Sequence, residues 1–525
     1  MRSRDRLAVV AFAALAFALM FLKVRILGPS LAALLPEEHR ELLVRVWLDG
    51  HGEDVRVRMA LPIATDRQRV RAELVSSSEF RFHMERQGSN RWGVWEDEEV
   101  KGRRALVYAA TVRSERRAYR LPPEIEIPPR YPEEAQAHLL PTEQVQSEAK
   151  EIRALFEEIV PAPERRNAAA IARAAFEYCR ARIRPISIRG TTDALTCLRL
   201  GEGSCGGKSR LLAALLRAGG IPARLAGGVI LKNASWTSSH VWVEAWLTGR
   251  WVPFCPLNGR FAEVPAEYLV LYYGDESLFA HSPDINFSYV FHSKTVLVPP
   301  ASPEAPPPGP FNLWAAFEGV GIPVDLLKVI LVLPFGALVV VAARNLVGVR
   351  TFGTFMPALM AVAFRDTGLG WGLLLLATVL ASGLGVRMAL ERFQLLHTPR
   401  LAVILTAVVA TIVGFALFAQ ATGYLLPTRV SLFPIVILTL TVERFSAMWE
   451  EDGPRATLLV TAGTMAVVAT AYAAVEARWV QTSVLAFPES LLLAVAAFFF
   501  TGRWTGLRLL EYLRFAPLIG TEGRP

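Results

Sequence analysis

The stretch GEGSCGGKSRLLAALLRAGGIPARLAGGVILKNASWTSSHVWVEAWLTGRWVPFCP, residues 201–256, sets a cysteine among glycines, then a helical run, then extended segments. Helical spacing holds over KSRLLAALLRA and stops at Gly219 and Gly220. ARLAGGVIL, HVWVEAWL and RWVPF read as strands, and Thr248-Gly249 joins the last two as a tight hairpin. Pairing Leu247 with Arg250 sets Trp242 opposite Cys255, with His240 as the diagonal neighbour. Side chains alternate along a strand, so His240, Trp242, Glu244 and Cys255 share one face of a sheet.

Cys205 has three readings. A phosphate-binding loop needs G-x-x-x-x-G-K-[ST] after a strand, but here the first glycine position falls on Glu202 and the preceding TTDALTCLRL reads as helix. A nucleophile reading fits better, because a cysteine at a helix amino end faces unpaired N–H groups and the positive end of the dipole, and His240 supplies a base. The plain alternative is a buried thiol and a satisfied core histidine.

Outward from this stretch, LLVRVWL, VRVRMALP and ALVYAATVRS within residues 40–120 alternate as strands of a small β-sandwich, broken at DGHGED and EDEEVKG. LPPEIEIPPRYPEEAQAHLLP, residues 121–141, has too many prolines for a helix and reads as a linker. EQVQSEAKEIRALFEEIV and ERRNAAAIARAAFEYCRARI read as helices. VPPASPEAPPPGP, residues 298–310, reads as a semi-rigid spacer.

The chain has 525 residues, 52% of them hydrophobic, and its apolar residues are unevenly spread. From about Leu326 to Thr501 the apolar runs are too long for a soluble surface, which makes this an integral membrane protein. LAVVAFAALAFALMFL, residues 7–22, follows Arg2, Arg4 and Arg6 and lacks a clear small-x-small cleavage site, so an uncleaved signal anchor is preferred over a cleaved signal peptide. The upstream arginines hold its amino end in the cytoplasm, which exports the segment from Leu27 to Gly321. Seven further spans are expected: Val324–Ala343, Thr351–Phe364, Thr367–Val386, Leu401–Gly423, Val430–Val442, Ala456–Val475 and Val480–Phe500. This order leaves Arg344, Arg350, Arg387, Arg392, Arg400, Arg444, Arg455, Arg503 and Arg508 on the cytoplasmic side. The net charge of +8 is thereby explained by topology and not by nucleic-acid binding. The four cysteines, Cys179, Cys197, Cys205 and Cys255, make no disulfide framework; Cys179 and Cys197 read as buried small residues or one bridge. Glu489 is the one carboxylate well inside an apolar run: either a functional intramembrane group or, with Pro488, the start of a shorter helix.

The order of cysteine-opened helix, GIPARLAGGVIL, SSHVWVEAWL and RWVPFCP resembles the transglutaminase-like domain, a papain-like cysteine fold. The resemblance implies Cys205 as nucleophile and His240 as general base, with Cys255 where that family has the aspartate that orients the imidazole. A thiol is a weak acceptor and brings no negative charge, so lost or attenuated chemistry is the default, with Glu244 or Asn258 as alternative substitutes. GTFMPALMAVAFRDT, LLHTPRLAVILT, SLFPIVILTLTVERFSAMWEEDG, AFPESLLLAV and GRWTGLRLLEYLRF resemble the seven-transmembrane domain usually fused to an inactive transglutaminase. This second resemblance implies a bacterial inner-membrane protein with a periplasmic domain. It also implies pathway partners, an ATP-grasp ligase and a retropepsin-like peptidase, and a peptide or amino-acid-conjugate ligand.

The expected fold class is a membrane α-helical bundle plus an exported α+β transglutaminase-like domain and a small β-sandwich. The expected divisions are 1–27 anchor, 36–122 sandwich, 142–297 transglutaminase-like domain, 298–322 linker and 323–516 seven-helix domain. Candidate site residues are Cys205, His240 and Cys255 for the degenerate triad, with Trp242, Glu244 and Glu489 as ligand contacts; no metal and no cofactor is expected. The rival readings are an active membrane-tethered cysteine peptidase or acyltransferase, and a transporter with an accessory exported domain.

Overall fold

The computed structural model describes residues 3–514 apart from 29–36, 77–79, 188–191, 299–308, 310–311, 314–315, 318–323, 366–367, 391–392, 394–396, 422–431, 505 and 513. Two compact units emerge, one of residues 38–296 and one joining residues 1–37 to 297–525.

In the first unit, β1 (Glu37–Ala60) and β4 (Asn90–Ser114) form a long antiparallel ribbon. Alternation decides which face is buried: Leu42, Val44 and Val46 lie opposite Ala110, Tyr108 and Leu106, and all six are buried. DGHGED and EDEEVKG, expected as breaks, instead run through as bulges between His51 and Val55. Gly50 makes this possible, since a Cβ there would overlap the Val100 carbonyl; the residues left unpaired bend the ribbon without ending it. β2 (Gln68–Ser76) and β3 (Arg81–Gln87) pair with β4.

A second, five-stranded sheet is built from β5 (Ala223–Ile230), β7 (His240–Leu247), β8 (Arg250–Cys255), β9 (Arg260–Phe261) and β10 (Tyr268–Tyr273), in the order β9-β8-β7-β5-β10. The first sheet is completed by β6 (Ala234–Trp236), β11 (Phe279–His281) and β12 (Ser288–Val298), strands that follow or interrupt the second. The two sheets bury a common core that includes Val57, Trp92 and Tyr108 from one and Val229, Leu269 and Tyr272 from the other. The sandwich expected over residues 36–122 therefore takes its second layer from the sheet that carries His240. Periodicity shows which face of a strand is apolar but not which partner covers it.

The other face of the five-stranded sheet receives the helices α2 (Lys150–Ile159), α3 (Ala168–Ala181), α4 (Ala194–Leu200) and α5 (Cys205–Ala218). Residues 206–216 of α5 are all buried, making it the central helix. The proline-rich stretch expected as a linker is a strap on this core, with Leu121, Ile125 and Ile127 packed against it. Asn167 fastens it: its side-chain oxygen accepts from the amides of Ala169 and Ile125, capping α3, while its amide donates to the Pro123 carbonyl at 2.9 Å. A cap of this kind contributes about 1 kcal/mol.

The second unit holds α1 (Ser3–Leu27), α6 (Val324–Ala342), α7 (Met356–Ala363), α8 (Leu369–Leu390), α9 (His397–Ala421), α10 (Leu432–Glu451), α11 (Gly453–Glu476), α12 (Arg478–Ala486) and α13 (Ser490–Gly502). Among the described residues four helices are long and apolar enough to cross a membrane by themselves. Three expected spans differ. Of the run Val430–Val442, the first two residues lie outside the described residues; the helix that starts at Leu432 runs on to Glu451, where Glu450 meets Arg387 at 2.6 Å. The run Thr351–Phe364 is helical only over Met356–Ala363. The run Val480–Phe500 is no single helix: α12 and α13 meet at 106° around Phe487–Glu489. Pro488 has no N–H to continue α12, and that is enough to break it.

Candidate functional site

Three local devices set His240, Trp242 and Cys255 side by side and dock the helix that Cys205 opens against their sheet. Thr248 and Gly249 both have positive φ, 51° and 77°, as a two-residue hairpin of the primed type requires, so Leu247 pairs with Arg250 as the sequence predicts. That register carries Cys255 alongside Trp242 and next to His240. Ser209, one turn beyond Cys205, donates to the Val241 carbonyl at 3.1 Å, which docks the first two turns of α5 on the start of β7. The glycines around Cys205 have a steric purpose: a Cβ on Gly203 would stand 2.6 Å from the Cys197 sulfur, and one on Gly207 would crowd Cys197 and Thr192. They let α4 and α5 approach. Gly201, with φ 65°, ends α4 in the left-handed conformation.

Lys208 settles the phosphate-loop reading. Its ammonium is buried and donates to the carbonyls of Ile183, at 2.8 Å, and Arg180, at 3.4 Å, near the end of α3. It is an internal cap on orphan carbonyls, unavailable to phosphate. Burial lowers its pKa. Cys179 and Cys197 are free and buried; burial raises both thiols, Cys197 to about 11, so they are inert packing residues.

Cys205 opens α5 and is half-buried, in contrast to the other three cysteines. The first helical bond runs from Lys208 N–H to the Ser204 carbonyl at 3.0 Å, so the amides of Cys205, Gly206 and Gly207 form the open first turn. Such amides can receive the oxygen of an amide or carboxylate. His240 Nε2 lies 3.2 Å from the sulfur of Cys255, the residue expected at the third position of a degenerate triad. The ring is stacked on Trp242 with centroids 6.1 Å apart and meets the Tyr268 ring edge-on at 5.1 Å.

The imidazole has no carboxylate among the described residues. Burial alone lowers its pKa to about 4, with no charge to oppose it, so at neutral pH the ring is uncharged. Burial also raises the Cys255 thiol, opposed in part by the backbone amides of Asn258 and Leu257 and the Tyr268 hydroxyl; a thiolate at Cys205 would raise it further. Glu244 on this sheet and Asp275 just beyond the end of β10 are each held by arginine. Glu244, expected as a ligand contact, is buried against Arg224, whose Nε and Nη2 lie 3.0 and 2.7 Å from Oε2, and that guanidinium is itself covered by Trp251 and Tyr273. Asp275 is held by Arg210 at 2.6 Å. Asn258, the other candidate substitute, donates to the Tyr268 hydroxyl at 2.5 Å and not to the ring.

Trp242, also expected to touch ligand, is 1% exposed and forms the wall behind His240. Sequence reasoning missed Tyr268, which closes the site from β10 and reaches Cys255 at 3.7 Å. Its signal was the alternation of EYLVLYY, which puts Tyr268 on the same face as Val270 and Tyr272 by period alone but does not reveal the bulge between Val270 and Tyr272. Glu489 belongs to the other unit, at the α12–α13 break, beside Lys23.

Three family models match the chain in order. Residues 33–170 match "Inactive transglutaminase fused to 7 transmembrane helices". Residues 153–256 match "Transglutaminase-like superfamily", and residues 321–519 match "7 transmembrane helices usually fused to an inactive transglutaminase". Among solved structures, a proposed cysteine protease from Cytophaga hutchinsonii aligns at 17% identity with TM-score 0.43, covering 50% of this chain and 91% of that one. The periplasmic domain of TgpA from Pseudomonas aeruginosa, bound to ethylmercury, aligns at 16% identity with TM-score 0.22, covering 44% of this chain and 93% of its own. A proposed protease from Parabacteroides distasonis aligns at 14% identity with TM-score 0.20, covering 41% and 43%. No curated protein matches. With those three models matched in sequence order, the chain is a multi-pass membrane protein in which a transglutaminase-like domain of the inactive kind is fused to a seven-transmembrane-helix domain.

Proposed function

We propose that the transglutaminase-like domain lies in the periplasm of a bacterium, anchored in the inner membrane, and binds a peptide or amide-bearing ligand without turning it over. Binding then biases the seven-helix domain. The observation that carries this reading is the contact between His240 Nε2 and a neutral, buried Cys255 sulfur, with the carboxylates of Glu244 and Asp275 tied to arginines. A neutral ring with no anionic partner does not stabilise the imidazolium that acyl transfer requires, and in the serine triad loss of that partner costs about 10⁴ in rate. What survives is a half-exposed thiol, the open amides at the start of α5 and an aromatic wall: donors for a carbonyl oxygen and a surface for a flat amide.

The test uses full-length protein in nanodiscs and a panel of defined tri- to pentapeptides with free and amidated termini. Titration calorimetry is expected to find binders whose affinity falls about tenfold or more when Gly206→Pro distorts the open turn, while intact-mass spectra show no acyl adduct on Cys205. A covalent adduct that accumulates on Cys205 and disappears in His240→Ala would replace this reading with a working enzyme.

A further inference from the structure

Glu489 was singled out as a carboxylate inside an apolar run, and the structure gives it a partner from the opposite end of the chain. Lys23 of α1 places Nζ 3.5 Å from Glu489 Oε1 and donates to the Ala486 carbonyl at 2.8 Å. The lysine is 1% exposed, and its ammonium lies 5.7 Å from the centre of the Phe487 ring. This one group therefore serves both sides of the break. It meets a carbonyl freed at the carboxyl end of α12, where the helix dipole is negative, and the carboxylate that precedes α13. Glu489 Oε2 and Ser490 Oγ accept or donate no hydrogen bond among the described residues, and no second cation pairs with Glu489 there. The contact extends along the helices: Phe12 of α1 stacks on Phe499 of α13 with centroids 5.7 Å apart.

We propose that α1 is retained in the mature protein as a permanent member of the bundle, and that Lys23 is a positioning residue that holds the α12–α13 bend. Removal of α1 as a signal peptide would strand Glu489 as a lone carboxylate in an apolar interior, where an unpaired charge is far more costly than a paired one. The lock is independent of any ligand in the other unit.

The test starts with intact-mass measurement of the full chain purified from membranes through a carboxyl-terminal tag. A mass that includes residues 1–27 is expected, and a mass lacking them overturns the proposal. Next, Phe12→Cys/Phe499→Cys is oxidised with copper phenanthroline in membranes. The cross-link forms in the otherwise native chain and falls about tenfold or more with Lys23→Met, which leaves Glu489 bare. It returns when both charges are removed, in Lys23→Met/Glu489→Gln, or exchanged, in Lys23→Glu/Glu489→Lys. Full cross-linking in Lys23→Met, or failure of both double variants to restore it, overturns the proposal. Equal expression of all variants, measured by the tag, separates loss of the lock from loss of the protein.

Discussion

Cys255→Asp is the sharpest perturbation of the degenerate triad, because it puts a carboxylate where Nε2 of His240 now meets a thiol at 3.2 Å. In the native chain burial lowers the imidazole from 6.5 to about 4. At about 1.4 kcal/mol per pH unit this disfavours the imidazolium by about 3 kcal/mol. An opposite charge within ~4–6 Å offsets such a penalty by roughly 1–3 pH units, so the variant ring is expected to titrate between about 5 and 7. The assay is a pH titration of Cys205 alkylation by iodoacetamide, followed by peptide mass spectrometry, with ¹³C-labelled histidine reporting the ring directly. The alkylation profile in Cys255→Asp should acquire an inflection matching the ring, absent from the native protein and abolished by His240→Ala. Hydrolysis of an activated ester should rise by about 10² or more, within the ~10⁴ that an orienting acid is worth. A folded Cys255→Asp protein whose His240 titrates where it did before would refute the reasoning, because it would mean that ring and third position do not communicate.

Four further outcomes are expected. The folded-state pKa of His240 lies below its unfolded value, so its contribution to stability is complete above about pH 6.5 and is lost as pH falls toward 4. Between pH 7 and pH 4, denaturant titration should show the native protein losing about 3 kcal/mol more than His240→Gln, and equal losses would contradict the assigned burial. Gly203→Ala should destabilise by about 1–3 kcal/mol through overlap with the Cys197 sulfur, and Cys197→Ala in the same chain should recover most of it; a double variant as weak as the single would exclude that contact as the cause. Lys208→Met should lower the melting temperature, by the loss of about 1–3 kcal/mol, by orphaning the Ile183 and Arg180 carbonyls, and no phosphate compound should protect the native chain against melting. Glu244→Gln should cost about 1–3 kcal/mol by leaving Arg224 without its anion and should leave peptide affinity unchanged; weakened binding would put Glu244 back among the ligand contacts.

The parts of this architecture that depend on local rules could be read in advance. Thr248-Gly249 dictated a two-residue turn, the turn dictated the register, and the register brought Cys255 beside Trp242 and within reach of His240. The long apolar runs revealed the membrane domain by length alone. What could not be read depends on partners remote in the chain. Arg224 and Arg210 each claim a carboxylate from another strand or turn, and nothing near Glu244 or Asp275 in sequence announces that. The bulges in β1 looked like turns because glycine and acidic residues favour both, and only the pairing of Gly50 with Gly102 distinguishes the two outcomes. Pro488 signalled a change of direction but not its size, and Lys23, 466 positions earlier than Glu489 in the numbering, gave no hint of its role. Tyr268 was hidden because an aromatic strand reads as core from its composition.

The connectivity of the helical unit has a mechanical corollary. The chain runs from α1 into β1 and comes back from β12 into α6, and α1 and α6 both pack on α13. The 13-residue α13 is thus clasped by two helices that lie about 300 positions apart in the sequence, so its seat depends on both of them. Loosening either helix would undo one side of that clasp, and the hinge beside it, at Phe487–Glu489, is where the loss would first be felt.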